Sequence, residues 1–267
     1  MKAAIVYFSG TGNTFRVGEI FKTYLEAVNY QVDMIDISKH KEQLKGYDLF
    51  IAGTPTYTGT SPYYFNDFIE KQITKSNNPK AHFITYVTHS WGTAYGHLTI
   101  KDFVTKKGFD VLGARAFLAP SNFYVYHDKE KGKQSKKEVH QLHQKVYKDV
   151  WNFMDGYVKG NRQIDKRSTL GKTQKVLLTK VMSKTFTPKF AAISLKVDSD
   201  KCTRCKVCVN NCPNKNIELK DGQITFSKNC ASCAKCMHSC PKNAFTFNGK
   251  EFEQYDVRQK SIMEQIK

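Results

Sequence analysis

The chain reads as a doubly wound parallel α/β domain followed by a small α+β domain, and three observations carry that reading. Strand-length apolar runs alternate with amphipathic helical stretches across residues 3–153, the pattern of a parallel sheet covered on both faces. A glycine- and hydroxyl-rich loop joins the first run to the first helix. All eight cysteines fall between 202 and 240, in two copies of one spacing. A length of 267 residues suits about two domains.

The elements follow in order. Ala3 to Phe8 is a buried strand and Phe15 to Val28 a helix with apolar residues at helical spacing. Val32 to Ile37 and Leu49 to Gly53 are the next strands, and Tyr63 to Ile73 the next helix. His82 to Thr88, the helix Leu98 to Lys107, and the strand Val111 to Leu118 complete five strands. A long helix runs from about Lys136 to Phe153. Pro120 to Lys137, rich in aromatic and basic residues, reads either as a lid over a ligand or as a solvated connection.

Three loops lie at the C-terminal ends of these strands. Ser9-Gly10-Thr11-Gly12-Asn13-Thr14 precedes a helix, so its backbone N–H groups and hydroxyls form a cradle for a phosphate. Taken alone, the loop also reads as an ordinary hydroxyl-capped helix start. It lacks the Gly-Lys-Ser/Thr of a Walker loop, and Phe15 stands where a dinucleotide loop would need its third glycine. Pro55-Thr56-Tyr57-Thr58-Gly59 follows the third strand. His89, Ser90, Trp91, Gly92, Tyr95 and Gly96 follow the fourth. In doubly wound sheets of strand order 2-1-3-4-5, ligands sit beyond these ends, between strands one and three.

The cysteines read C-x2-C-x2-C-x3-C-P twice: Cys202, Cys205, Cys208 and Cys212 before Pro213, then Cys230, Cys233, Cys236 and Cys240 before Pro241. That spacing is the ligand pattern of paired [4Fe-4S] clusters, in which the fourth cysteine of each run serves the other cluster. One cluster then takes Cys202, Cys205, Cys208 and Cys240, and the other Cys230, Cys233, Cys236 and Cys212. Each proline keeps its ligand loop from continuing as a helix. Zinc sites separate their cysteine pairs by longer loops, and disulfides need an oxidising compartment, whereas Met1 to Phe8 has no signal-peptide character. The chain is therefore expected to be cytoplasmic. Hairpin signals follow each run, Asp221-Gly222 and Asn248-Gly249.

At these residues the chain resembles the flavodoxin-ferredoxin fusion proteins of anaerobes. The loops SGTGNT, TPTY-x-G and the aromatic glycine loop after strand four are similar to the FMN loops of flavodoxins over residues 1–155, and the cysteine runs to two-cluster ferredoxins. The resemblance implies a flavodoxin-like order 2-1-3-4-5, with Ser9, Thr11, Asn13 and Thr14 on the FMN phosphate. It also implies Pro55 to Gly59 and Trp91 to Gly96 beside the flavin ring. Tyr57 and Trp91 either stack on that ring or cover the sheet edge. Gly59 sits where flavodoxins bond flavin N5 through a flexible peptide. The implied domains are 1–158 for FMN, a basic linker 159–197, and 198–267 for two [4Fe-4S] clusters.

The net charge of +18 is uneven: residues 159–197 carry ten basic side chains and one acidic. Val176, Leu177, Leu178, Val181, Met182 and Phe186 form one face of an amphipathic basic helix there, which either docks on its own domains or seats an acidic partner or anionic membrane. No apolar run reaches the roughly 18 residues that span a bilayer, and no recognition motif accompanies the charge, so specific nucleic-acid binding is not expected. His140 and His143 share a helix face that reads as solvated rather than metal-binding.

Two functions compete. The first is an electron carrier passing electrons between two [4Fe-4S] clusters and FMN, with a ferredoxin-type or other redox protein as partner. The second is an FMN-dependent reductase of a small organic substrate, refilled from ferredoxin through the clusters, with His89, Tyr95 or Tyr124 as proton donor.

Overall fold

The computed structural model describes residues 1–57, 59–90, 95–124, 132–166, 189–257 and 261–266. These form two compact units that interleave along the chain. One comprises Met1–Pro120, Ser135–Lys172 and Lys260–Lys267, the other Ser121–Gln134 and Thr173–Gln259. The boundaries expected at 158 and 198 are continuous; the units are not.

The first unit is built on β1 (Lys2–Tyr7), β2 (Gln31–Asp36), β3 (Leu49–Pro55), β4 (His82–His89), β5 (Asp110–Leu118) and β6 (Gln163–Ile164), in the order β2-β1-β3-β4-β5-β6. Every pairing is parallel. The expected order 2-1-3-4-5 is therefore present, extended by a two-residue strand too short to show any periodicity. Ala3 to Val6 and Phe50 to Ala52 are wholly buried, which is why these runs carry no polar alternation.

Helices α1 (Asn13–Ala27) and α4 (Lys136–Val158) share one core with β1, β3, β4 and β5. Phe21, Tyr86, Phe117 and Phe153 meet there with ring centroids 5.2–6.3 Å apart. α4 opens on a capping box, with Ser135 and Glu138 exchanging hydrogen bonds. His143 is buried and only His140 is exposed, because His143 continues the inward stripe of Val139, Val146 and Val150. The solvated face expected for both histidines is thus corrected for His143. Helices α2 (Tyr63–Gln72) and α3 (Gly96–Lys106) complete the layer, with α3 on β3, β4 and β5. Gly53 pairs in register with Tyr86, and a Cβ on Gly53 would stand 1.9 Å from the Tyr86 ring.

The second unit holds α5 (Phe190–Ser194), β7 (Leu195–Val197), α6 (Val207–Asn210), β8 (Ile217–Lys220), β9 (Gln223–Phe226), α7 (Lys235–His238) and β10 (Phe245–Phe247). β8 and β9 form the hairpin expected at Asp221-Gly222. The second hairpin does not form. Asn248-Gly249 turns the chain into a single Phe247–Lys250 bridge, and β10 pairs instead with β7, Phe245 opposite Val197 and Phe247 opposite Leu195. Phe190, Met237, Phe245 and Phe247 form the core. Helix α8 (Ile262–Ile266) belongs to the first unit, where Ile262 is fully buried.

Candidate functional site

The ends of β1, β3 and β4 converge on one edge of the sheet. After β1 the chain turns through Gly12, at φ 100°, a conformation that favours glycine. Ser9 Oγ accepts from the Gly12 N–H at 3.1 Å, and Asn13 Nδ2 donates to the Pro120 carbonyl at 2.7 Å. These two side chains thus brace the loop. Thr11 and Thr14 are both buried, and the Thr14 hydroxyl lies 2.8 Å from that of Thr88 on β4, while the Thr14 carbonyl accepts from Tyr86 at 3.0 Å.

One group at this loop escaped the sequence reading. Arg16 is 3% exposed, with its guanidinium against Gly12 and Nη1 donating to Asn13 Oδ1 at 3.3 Å. Its Nε has no partner among the described residues. Glu19, one turn on, has its carboxyl pushed up by burial and pulled back by Ser261, Arg16 and the Ile262 N–H. The signal in the sequence was a lone arginine among the apolar positions of α1, four residues past Gly12, where a helical side chain points back over the loop. A buried cation beside backbone N–H groups at a helix N-terminus suits a dianionic phosphate.

Beyond β3 and β4, the hydroxyls of Thr54 and Thr56 and the Nδ1 of His89 are buried without a partner among the described residues. Buried polar atoms of this kind call for a hydrogen-bonding partner beyond the described residues, a ligand being one candidate. Tyr57 and Thr60 exchange backbone hydrogen bonds at 3.1 Å, and Tyr95 N–H donates to the Gly59 carbonyl at 3.1 Å, which ties the two loops together. Pro55, Ser90 and Tyr95 are half-buried and Gly96 is buried; Thr58, Trp91 and Gly92 lie outside the described residues, as does the linker helix 176–186. Gly10 is buried within the phosphate loop. Burial, and then His97, lower the pKa of His89. His97 Nε2 lies 3.3 Å from Asp165 Oδ2; burial raises that carboxyl, but His97 and the Ala116 N–H bring it below the usual range.

Of the segment expected as a possible lid, residues 125–131 lie outside the described residues. Ser121 to Tyr124 belongs to the cysteine-bearing unit, where Tyr124 donates its hydroxyl to the Glu253 carbonyl and Phe123 packs on Phe190 and Phe247. His238 fixes it further. Its Nδ1 accepts from Tyr255 N–H at 3.0 Å, so Nε2 donates to the Asn122 carbonyl at 2.7 Å.

In that unit one cavity is lined by Cys202, Cys205, Cys208 and Cys240, three cysteines of the first run and the last of the second. The neighbours that act electrostatically on the Cys208 thiol are Cys240 and Cys202; those acting on Cys233 are Cys230 and Cys212. The two runs are alike in backbone as well as spacing. Arg204 and Lys206 are left-handed, and so are Ser232 and Ala234, 28 positions on; Lys215 and Asn243 match in the same way. Each such non-glycine residue costs on the order of 1 kcal/mol, strain typical of a functional loop. Backbone N–H groups of Asn216 and Ala244 donate to the sulfurs of Cys212 and Cys240 at 3.2 and 3.4 Å, and Ser232 N–H to Cys230 at 3.2 Å.

None of the eight cysteines is in a disulfide. Burial raises Cys208 and Cys230, and pushes Cys233 up to about 12, so iron must displace protons to bind. Among the described residues no three His, Cys, Asp or Glu side chains are placed to hold a single metal ion. The donor set, thiols with N–H groups aimed at sulfur, fits iron-sulfur clusters.

A parallel sheet whose edge holds buried polar atoms, followed in the chain by a doubled cysteine loop, defines a redox protein of flavodoxin and ferredoxin parts. The family model for a flavodoxin domain matches residues 4–108, and that for a 4Fe-4S dicluster domain matches residues 201–245. The chain is thus a flavodoxin-ferredoxin fusion, an electron-transfer protein whose first domain implies FMN and whose second implies iron-sulfur clusters.

Among solved structures, the chain is 19% identical to a flavodoxin from the domain Archaea, over 58% of this chain and 99% of that one, with a TM-score of 0.41. It is 16% identical to oxidised flavodoxin 1 from Bacillus cereus, over 58% and 98%, with a TM-score of 0.40. A Fusobacterium nucleatum flavodoxin bound to flavin mononucleotide is 18% identical over 41% and 68%, with a TM-score of 0.34. The fold assignment rests on the strand order and register themselves. No curated protein matches the chain. Among the described residues no helix is long and apolar enough to cross a membrane.

Proposed function

We propose that this protein is a one-electron relay in which two [4Fe-4S] clusters exchange electrons with FMN and with a redox protein. The observation that carries the reading is the cavity on which Cys240 joins Cys202, Cys205 and Cys208, the crossed ligand set that two clusters require. The second set is then Cys230, Cys233, Cys236 and Cys212. Flavin accepts one or two electrons and each cluster one, so the pair matches one-electron to two-electron partners.

The residues of the first domain would hold FMN in a divided way. Ser9 and Asn13 keep the loop in shape while its N–H groups and Arg16 meet the phosphate. Thr54 and Thr56, left without partners, meet the ring or its side chain. Arg16→Met is expected to weaken FMN binding by roughly 10- to 100-fold, the value of a charge-assisted hydrogen bond of about 1.5 to 3 kcal/mol. Fluorescence titration of the flavin-free protein measures it, and unaltered affinity would remove Arg16 from the site.

Of the three candidate proton donors of the reductase reading, His89 has its pKa lowered by burial and Tyr124 donates its hydroxyl to the Glu253 carbonyl within the cysteine-bearing unit, which leaves that reading to Tyr95. Anaerobic stepwise reduction, followed by visible and paramagnetic spectra together, tests the whole proposal. Two reducible clusters and a flavin that accumulates one electron are expected. A flavin that takes only electron pairs would shift the reading to a reductase.

A further inference from the structure

The two cysteine runs share a backbone and differ in what surrounds them. At the first cluster site the residues between ligands are Thr203, Arg204, Lys206 and Val207, and Cys205 is exposed. Their counterparts 28 positions on are Ala231, Ser232, Ala234 and Lys235, where Ala231 and Ala234 are buried and Cys233 is 7% exposed. Lys242, which also lines the first cavity, corresponds to the neutral Asn214. Every charged residue around that cavity is therefore a cation, and no carboxylate lines it. Nearby Lys201 is neutralised by Glu251 and Asp198, whereas Arg204, Lys206 and Lys242 are in no ion pair among the described residues. Arg204 is held in place all the same, because its Nε donates to the Gly222 carbonyl of the β8–β9 turn at 2.9 Å.

Three uncompensated, exposed cations around one exposed cysteine would be an unfavourable arrangement unless something negative meets them. A bound cluster with its four thiolates offsets part of this charge from within, yet the second cluster carries as much and has Ser232, Ala234 and Asn214 at the matching positions, with Lys235 in place of Val207 as its one added cation. The excess thus faces outward. From this we infer that the Arg204–Lys206–Lys242 face is the docking surface for an acidic one-electron redox protein, and that the cluster beneath it is the port through which electrons enter or leave. The inference rests on the relay reading and deepens it by naming the port and the chemistry of the partner. In the transfer one electron passes from the reduced partner, which is oxidised, to the cluster, which is reduced; no bond breaks and no proton moves.

The test compares the full, reconstituted protein with Arg204→Glu/Lys206→Glu/Lys242→Glu, and with Lys215→Glu/Lys228→Glu as a charge reversal elsewhere on the same domain. The probe is a small acidic two-cluster ferredoxin, used oxidised for the dissociation constant and reduced for the rate of electron transfer by stopped flow. At low ionic strength the triple variant is expected to bind at least 10-fold more weakly and to react 10- to 100-fold more slowly, with most of the salt dependence gone, which is the size of effect that charge steering produces. The matched variant should remain within about threefold of the parent, since Lys215 and Lys228 do not line that cavity. Equal losses in the two variants, or none in either, overturn the docking surface. Should the triple variant fail to retain iron, Lys242→Glu alone and a salt titration of the unaltered protein carry the test: a rate independent of salt overturns the inference. A neutral photoreduced deazaflavin separates the two levels of the proposal. If it reduces clusters and flavin while the acidic protein binds no better than a basic one, docking fails and the relay stands. If clusters and flavin exchange no electrons at all, both fail.

Discussion

Cys240→Ala is expected to abolish the cluster whose other three ligands belong to the first run, and Cys212→Ala the cluster of the second. The expectation follows from the shared cavity of Cys202, Cys205, Cys208 and Cys240 and from the proximity of Cys212 to Cys230 and Cys233. Each variant should lose about half of the cluster absorbance and iron, because an [4Fe-4S] cluster deprived of one thiolate has lost one of four anchors. Which half is lost decides the matter. Cys205→Ala and Cys233→Ala give the reference spectra and potentials for the loss of each cluster. Cys240→Ala should reproduce Cys205→Ala, and Cys212→Ala should reproduce Cys233→Ala. The opposite pairing would mean that each run keeps its own cluster. Because both ligand sets draw on both halves of a small domain, whose core of Phe190, Met237, Phe245 and Phe247 spans the two runs, loss of either cluster should also lower the unfolding temperature of that domain.

Gly53→Ala is expected to be the most damaging single substitution in the first domain. Gly53 is the β3 neighbour of Tyr86, whose ring crosses the position of the missing side chain and is itself fully buried. The Tyr86 hydroxyl donates to the Thr14 carbonyl, so the ring has no free direction in which to retreat. Overpacking at such a site costs on the order of 3 kcal/mol or more, at the upper end for an added methyl group. Displacing Tyr86 would also pull on Thr14 and with it the phosphate loop, so FMN retention should fall along with stability. Replacing Tyr86 by Leu as well separates the two effects. The Gly53→Ala penalty should shrink by at least about 1 kcal/mol in that background, as expected for contacting residues. Thermal unfolding of the first domain, followed by far-ultraviolet dichroism and by flavin release, measures both. Additive losses would show that the collision is not the cause.

The five long strands and four helices of the first domain were legible because buried parallel strands and amphipathic helices impose different periods on the same alphabet. The glycine- and hydroxyl-rich turn after β1 was legible for a similar reason: its residues stand next to one another in the chain. The roles within the loop were not. Ser9 and Asn13 turn out to brace it, Thr14 faces Thr88 inside the sheet, and Arg16 is tucked against Gly12. The roles of Asn13 and Thr14 depend on residues 107 and 74 positions away, and that of Arg16 on the direction of a side chain across a helical turn.

The sequence by itself determined the alternation of strand and helix, the position of the phosphate loop, the two cysteine runs and the Asp221-Gly222 hairpin. All of these are set by neighbours within a few residues, where spacing and backbone preference act directly. Only the tertiary structure decided that His143 is buried, that β10 joins β7, that β6 extends the sheet, and that Ser121–Gln134 and Lys260–Lys267 each belong to the unit beyond their neighbours in the chain. It also decided that Cys205 is exposed while its counterpart Cys233 is buried. Burial is a property of what arrives from elsewhere in the chain, and two segments with the same spacing and the same backbone can meet different surroundings.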